Sequence, residues 1–177
     1  MRWTLALLLV VIAIAGRLAP HPDNFTPLLA VALFAGAALP GALAWLVPLA
    51  ALAASDLVLG HEFTALSIVV YAAMLGGAAL GRWLGSRRTW LKTGFAALAG
   101  SLFFFVVTNF AVWLIGHGQS LYPRTLEGLI DCYAAALPFL RNGLAGDLFW
   151  TAVLFGLFDL ASGRARLSPR VPQRRHT

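Results

Sequence analysis

Residues 93–115 read TGFAALAGSLFFFVVTNFAVWLI. No charged side chain interrupts these residues. At 1.5 Å of rise per residue they span about 35 Å as a helix, enough to cross about 30 Å of hydrocarbon. Polarity inside the run is confined to hydroxyls and the amide of Asn109, which a helix tolerates better than a charge. A segment of this kind is a membrane span, and it sets how the rest of the chain is read.

The whole chain agrees with it. Of 177 residues, 60% are hydrophobic and 11% charged, against about 25% charged in ordinary soluble domains. Mean hydropathy is +0.81. One soluble core of this length could not bury so much apolar surface. Leu, Ala and Gly dominate, and no alternating ten-residue segments separated by turns occur, which favours helices over a β-barrel.

Working outward, further apolar segments run over Trp3–Leu18, Leu28–Leu39, Ala42–Leu59, Phe63–Leu84 and Leu144–Ala161. Pro20, Pro22 and Pro27 forbid a regular helix between the first two. The second and third are short for full crossings, so tilt or a tight intramembrane turn is expected. Gly76, Gly77, Ala78, Ala79 and Gly81 let a neighbouring backbone approach the fourth closely. Residues 120–142 are too polar for a span. Thr125-Leu126-Glu127 leads into an amphipathic stretch, Pro138 interrupts it and Arg141-Asn142-Gly143 ends it. This region is expected to be an interfacial or re-entrant helix. The fold class is therefore an all-α membrane protein: a six-transmembrane-helix bundle with one extra interfacial or re-entrant helix on the outer side. Residues 1–163 form a single domain, and 164–177 a basic, disordered cytoplasmic tail.

Charge placement orients the bundle. With the N-terminus inside and six crossings, the inner face receives Arg2, the Arg82–Lys92 loop and the tail, ten of the thirteen Lys and Arg. Only Arg17, Arg124 and Arg141 fall outside, as the positive-inside rule requires. Counting 120–142 as a crossing would place the basic tail on the wrong side. Both termini are thus expected in the cytoplasm. The rival reading takes Arg2, the first apolar stretch and Ala13-Ile14-Ala15 as a cleavable signal peptide. The tail follows a span directly, so it reads as a topology anchor rather than a nucleic-acid-binding segment. The acids run the other way: six of seven lie at or near the outer side, which suits a neutral or cationic solute better than an anion.

Chemistry is sparse. The single Cys132 excludes an internal disulfide and a multi-cysteine metal site. His21, His61, His117 and His176 lack the spacing of a zinc helix. There is no phosphate loop and no Gly-x-Ser-x-Gly, so no ATPase, nucleophile elbow or cofactor is expected. The polar and aromatic residues that call for a reason are Asn24, Asp56, Asn109, Trp113 one turn further on, Tyr122, Asp131, Tyr133, Arg141, Asn142 and Asp147. Each has a bland alternative: Asn109 as an interhelical hydrogen bond, Cys132 as a small buried apolar residue, and Arg141-Asn142 with Asp147 as an ion pair.

Several motifs together resemble a family of bacterial membrane proteins regarded as transport proteins. They are Asn24-Phe25-Thr26-Pro27 with Ala32–Gly36; Ser55-Asp56; Thr108-Asn109-Phe110-Ala111-Val112-Trp113; Tyr122-Pro123-Arg124-Thr125 with Gly128–Tyr133; and Pro138–Asn142 through Gly146-Asp147-Leu148-Phe149. That family is similar to the substrate-binding S components of energy-coupling-factor (ECF) transporters. The resemblance implies a six-helix subunit of the bacterial cytoplasmic membrane that captures a small vitamin-like solute from outside. It also implies an ECF-type coupling subunit and ATPases as partners, beside the lipid bilayer. In S components small residues at four-residue spacing on the first span meet the coupling subunit. Here that row holds Leu9, Ala13 and Arg17, while Ala32 and Gly36 carry small spacing on the second. The alternatives are a structural or assembly scaffold whose polar groups serve packing only, and a membrane enzyme using Asp131, Cys132 or Asp147.

Overall fold

The structure is a computed structural model that describes residues 2–85, 88–115 and 122–163. Six helices account for most of them: α1 (Arg2–Leu18), α2 (Leu28–Ala38), α3 (Leu43–Leu59), α4 (Ala65–Leu84), α5 (Trp90–Ile115) and α6 (Leu126–Ala161). Three of these, α4, α5 and α6, are long and apolar enough to cross a membrane. Large apolar side chains such as Leu7, Val11, Phe95, Leu102, Phe103 and Leu157 face outward, as they do where lipid replaces water. The basic tail lies outside the described residues, as do His117 and Arg87.

Local chemistry sets the boundaries. Thr64 and Ser67 form a reciprocal capping box at the start of α4, satisfying two otherwise unpaired helix-end groups. Thr125 does the same for α6 by accepting from the Gly128 amide at 3.2 Å. Gly60, at φ 70°, terminates α3 in the left-handed conformation. Residues 19–27 are non-helical as expected, and Asn24 sits at φ 62°, a backbone conformation Asn tolerates better than most side chains.

Successive helices run antiparallel. One end of the bundle therefore collects the C-termini of α1, α3 and α5 with the N-termini of α2, α4 and α6. We call it the Asp56 end, and the opposite one the Arg88 end. α2 is the central element, with Leu28–Gly36 buried throughout. It lies against α4 with almost no side chain between: a Cβ at Gly81 would overlap the Leu33 carbonyl, and one at Gly36 the Ala78 carbonyl. The expected close approach is thus made within the chain. The Leu9–Ala13 row of α1 also turns inward, with Leu9 1% and Ala13 0% exposed.

One expectation is corrected. Residues 126–142 are not a separate interfacial or re-entrant helix. They are the first half of α6, which runs through Pro138, Arg141-Asn142 and Gly143 without a break. Proline removes one i→i−4 hydrogen bond at a cost of about 3 kcal/mol, and neighbouring helices can offset that. Here Cys132 and Ala136 are buried and Tyr133 donates to the Val106 carbonyl at 2.7 Å. Being one continuous helix, 126–161 traverses the bundle once, so the segment adds no crossing of its own.

Candidate functional site

α5 and α6 are joined along their length by Arg88–Asp159, Ser101–Asp147, Asn109–Cys132 and Trp113–Pro123 contacts. The spacing between them is uneven. From the Ser101–Asp147 contact to the Asn109–Cys132 contact, α5 advances eight residues and α6 fifteen, about 12 Å of rise against about 22 Å. α6 therefore takes the longer path between the two contacts, over the stretch that carries Pro138. A cavity of about 160 Å³ occupies the space. Ser101, Phe105, Thr108 and Asn109 line it from α5, Ala136, Leu140, Gly143 and Asp147 from α6, and Asn24 from the 19–27 segment. A second cavity of about 180 Å³ lies on the other side of Asn24 and Asp147, between Arg17, Leu29, Leu52, Val70, Met74 and Phe104. The two share Asn24 and Asp147 in their walls.

Gly146 explains why Asn24 reaches this place. Its missing side chain lets the Phe25 backbone rest on α6, where a Cβ would stand 2.9 Å from the Phe25 Cα. Phe25 then packs on Phe149 with ring centroids 5.7 Å apart.

Asp147 is the most consequential group. It is 8% exposed, and the Ser101 hydroxyl lies 2.6 Å from its Oδ2. That hydroxyl also lies 3.0 Å from the Ala97 carbonyl, so its one proton cannot serve both fully. Asp147 forms no ion pair among the described residues, although Arg17 lines the second cavity with it. One turn along α6, the Thr151 hydroxyl is buried with no hydrogen-bond partner, and Thr151 and Asp147 border the same narrow space against Leu33 and Gly100.

Asp56 differs. Arg17 Nη1 donates to its Oδ1 at 2.6 Å and to Ser55 Oγ at 2.7 Å. The Tyr71 hydroxyl donates to Oδ2 at 2.9 Å, and His61 Nδ1 lies 3.1 Å from Oδ1. Four elements thus converge on one satisfied carboxylate beside an open cavity of about 230 Å³. Arg17 borders this cavity and the one leading to Asp147.

The other expected residues are spread out. Asn109 lines the first cavity, and its side-chain amide donates to the Phe105 carbonyl at 2.8 Å. Trp113 Nε1 donates to the Pro123 carbonyl at 3.0 Å, tying the start of α6 to α5. Tyr133 borders an apolar groove with Val69, Val106 and Phe110. Tyr122 is half-buried just before α6, and Asn142 is half-buried within it. Asp131 and Arg141 are exposed. The expected ion pair of Arg141-Asn142 with Asp147 does not form. Six residues along an unbroken helix at about 100° each put Arg141 and Asp147 on different faces. Cys132 is buried and its thiol donates to the Asn109 carbonyl at 3.5 Å. Among the described residues no three His, Cys, Asp or Glu gather as a metal site would require.

Sequence reasoning overlooked Ser101, Thr151, Tyr71 and the pairing of Arg17. Ser101 and Thr151 are polar groups at membrane depth and carried a usable signal, but hydroxyls bond back to their own helix so often that composition alone does not single them out.

A family profile matches residues 1–171, nearly the whole chain. The chain belongs to the DUF6580 family, a family of unknown function. No curated protein and no solved structure matches it. DUF6580 membership therefore identifies the chain's kin and leaves its activity to be argued from the site.

Proposed function

We propose that this DUF6580 chain is a membrane-embedded capture subunit for a small organic solute, and that it works by binding rather than by bond chemistry. In this reading all six helices cross the bacterial cytoplasmic membrane with both termini in the cytoplasm, and the Asp56 end faces outward. The observation that carries it is the pair of partly polar cavities meeting at Asn24 and Asp147. Small-molecule sites combine an apolar lining with a few placed polar groups. Phe104, Phe105, Leu29 and Met74 provide the first; Asn24, Asn109, Ser101 and Asp147 provide the second. A packing scaffold has no use for space left beside a buried carboxylate.

Energy would come from partners of the ECF type, a coupling subunit and ATPases. Since Leu9, Ala13, Ala32 and Gly36 are spent on internal packing, such a subunit would dock on other, outward faces.

The test is mass spectrometry of small molecules that co-purify with the protein in mild detergent. A specific solute is expected with the wild type and should be lost in Gly143→Leu, whose side chain would grow into the first cavity. Absence of any solute from the wild type, or its retention by the filled variant, overturns the reading. A reporter fused after the tail tests orientation, with a cytoplasmic signal expected.

A further inference from the structure

We propose that Asp147 is the counter-ion for a positively charged nitrogen, so that the solute is an organic cation with an apolar body. This rests on the capture reading and narrows it to a substrate class.

The described residues hold three carboxylates deep in or between helices. Asp56 pairs with Arg17, and Asp159 with Arg88. Asp147, the most deeply buried of the three, forms no ion pair among them. A lone carboxylate in a low-dielectric bundle is expensive, and retaining one marks an ion or substrate path. Replacing it by Asn would preserve the shape and the Ser101 contact, so packing alone gives no reason for an acid.

The second observation concerns hydrogen bonding. Ser101 is the one partner of the Asp147 carboxylate, at Oδ2, and shares its proton with the Ala97 carbonyl. Oδ1 makes no hydrogen bond among the described residues, so the carboxylate keeps acceptor capacity that an ammonium group, with its several N–H donors, would fill. The unpaired Thr151 hydroxyl takes no part, because the gap it borders with Asp147 is too narrow for a water.

The third is the shape around Asp147. Each cavity by itself is smaller than the roughly 300 Å³ at which small-molecule sites begin, but both end on Asp147. A compact solute would place its charged nitrogen at that junction and its apolar part towards Phe104 and Met74 or towards Phe105. Arg17, at the far end of the second cavity, is already neutralised by Asp56. Among the described residues, the lining of the two cavities therefore offers an anion no unpaired cation.

The experiment uses three probes of one size and different charge: benzylammonium, benzyl alcohol and benzoate. Each is titrated into the purified full-length protein in detergent at pH 7, following tryptophan fluorescence, since Trp150 adjoins Asp147. Benzylammonium is expected to bind saturably and at least ten-fold more tightly than benzyl alcohol, with benzoate weakest. Asp147→Asn should remove that ten-fold preference of benzylammonium over benzyl alcohol. Benzyl alcohol or benzoate binding as tightly as benzylammonium overturns the charge assignment and leaves solute capture standing. Unchanged benzylammonium affinity in Asp147→Asn, in a variant with the wild-type elution profile, also overturns it. If none of the probes binds and no solute co-purifies, the capture reading itself fails. The wild-type charge series decides the matter even if the variant does not fold.

Discussion

The Arg88 end and the Asp147 region treat a buried carboxylate in opposite ways. At the Arg88 end the guanidinium of Arg88 reaches Asp159 and also stacks over the Phe155 ring, 4.6 Å from its centroid. Phe155 in turn meets Phe34 of the central helix at 4.9 Å. Charge, ring and core lock together with no space left over. About three turns of α6 away, Asp147 has a hydroxyl for company and a void on either side. Both acids sit on the same helix among similar apolar neighbours. A carboxylate closed by its own arginine is architecture, whereas one left open beside empty volume awaits something from outside the chain.

Breaking the closed end should have the largest effect. Arg88→Ala or Asp159→Ala leaves an uncompensated charge in a site where the side chains are 7% and 13% exposed, and a loss of about 3–5 kcal/mol is expected. Thermal unfolding in detergent, with the double Ala variant less affected than either single one, checks it. Next comes the frame both regions share. Gly81→Val drives a side chain into the Leu33 carbonyl, and overpacking of this kind costs about 3 kcal/mol where it is tolerated at all. The same assay should show it, together with broadened elution.

The Arg17–Asp56 pair is intermediate. With side chains 17% and 20% exposed and Tyr71 and His61 as further partners for Asp56, Arg17→Ala is expected to lower stability by about 1 kcal/mol, salt-dependently. The smallest effect sharpens the contrast most. Asp147→Asn should leave stability within about 0.5 kcal/mol of wild type, or raise it, since it removes a buried carboxylate that forms no ion pair among the described residues. A loss as large as that of Asp159→Ala would mean that the two acids play the same role.

Much of the fold was legible because its signals are local. Apolar runs bounded by Pro20, Pro27 and the basic Arg82–Lys92 loop are read along the chain, and five of the six helices end within a few residues of where those runs place them. The sixth did not, because Pro138 and Arg141-Asn142-Gly143 carry the signature of a helix end, and only packing against α5 overrules it. The seating of α2 on α4, Gly36 against Ala78 and Gly81 against Leu33, joins residues more than 40 positions apart in the sequence, a pairing that no periodicity encodes. In the site, Asn24, Asn109 and Asp147 were visible as polar groups that lipid makes expensive. Their convergence depends on the unequal lengths of α5 and α6 between their contacts and on Gly146 accepting the Phe25 backbone, and neither is written in residue type. Asp131 and Arg141 drew notice for the same chemical reason, yet the continuous helix turns both outward.

The fifteen residues of α6 that face eight of α5 act as a spacer for the first cavity, which lies between the two contacts. Deleting one helical turn from 134–140, all apolar, would shorten the spacer by about 5 Å without removing a polar group. Adding a turn would lengthen it by as much. Chains of this family that differ in length at this place would therefore differ in the bulk of what they carry before any contact residue has changed.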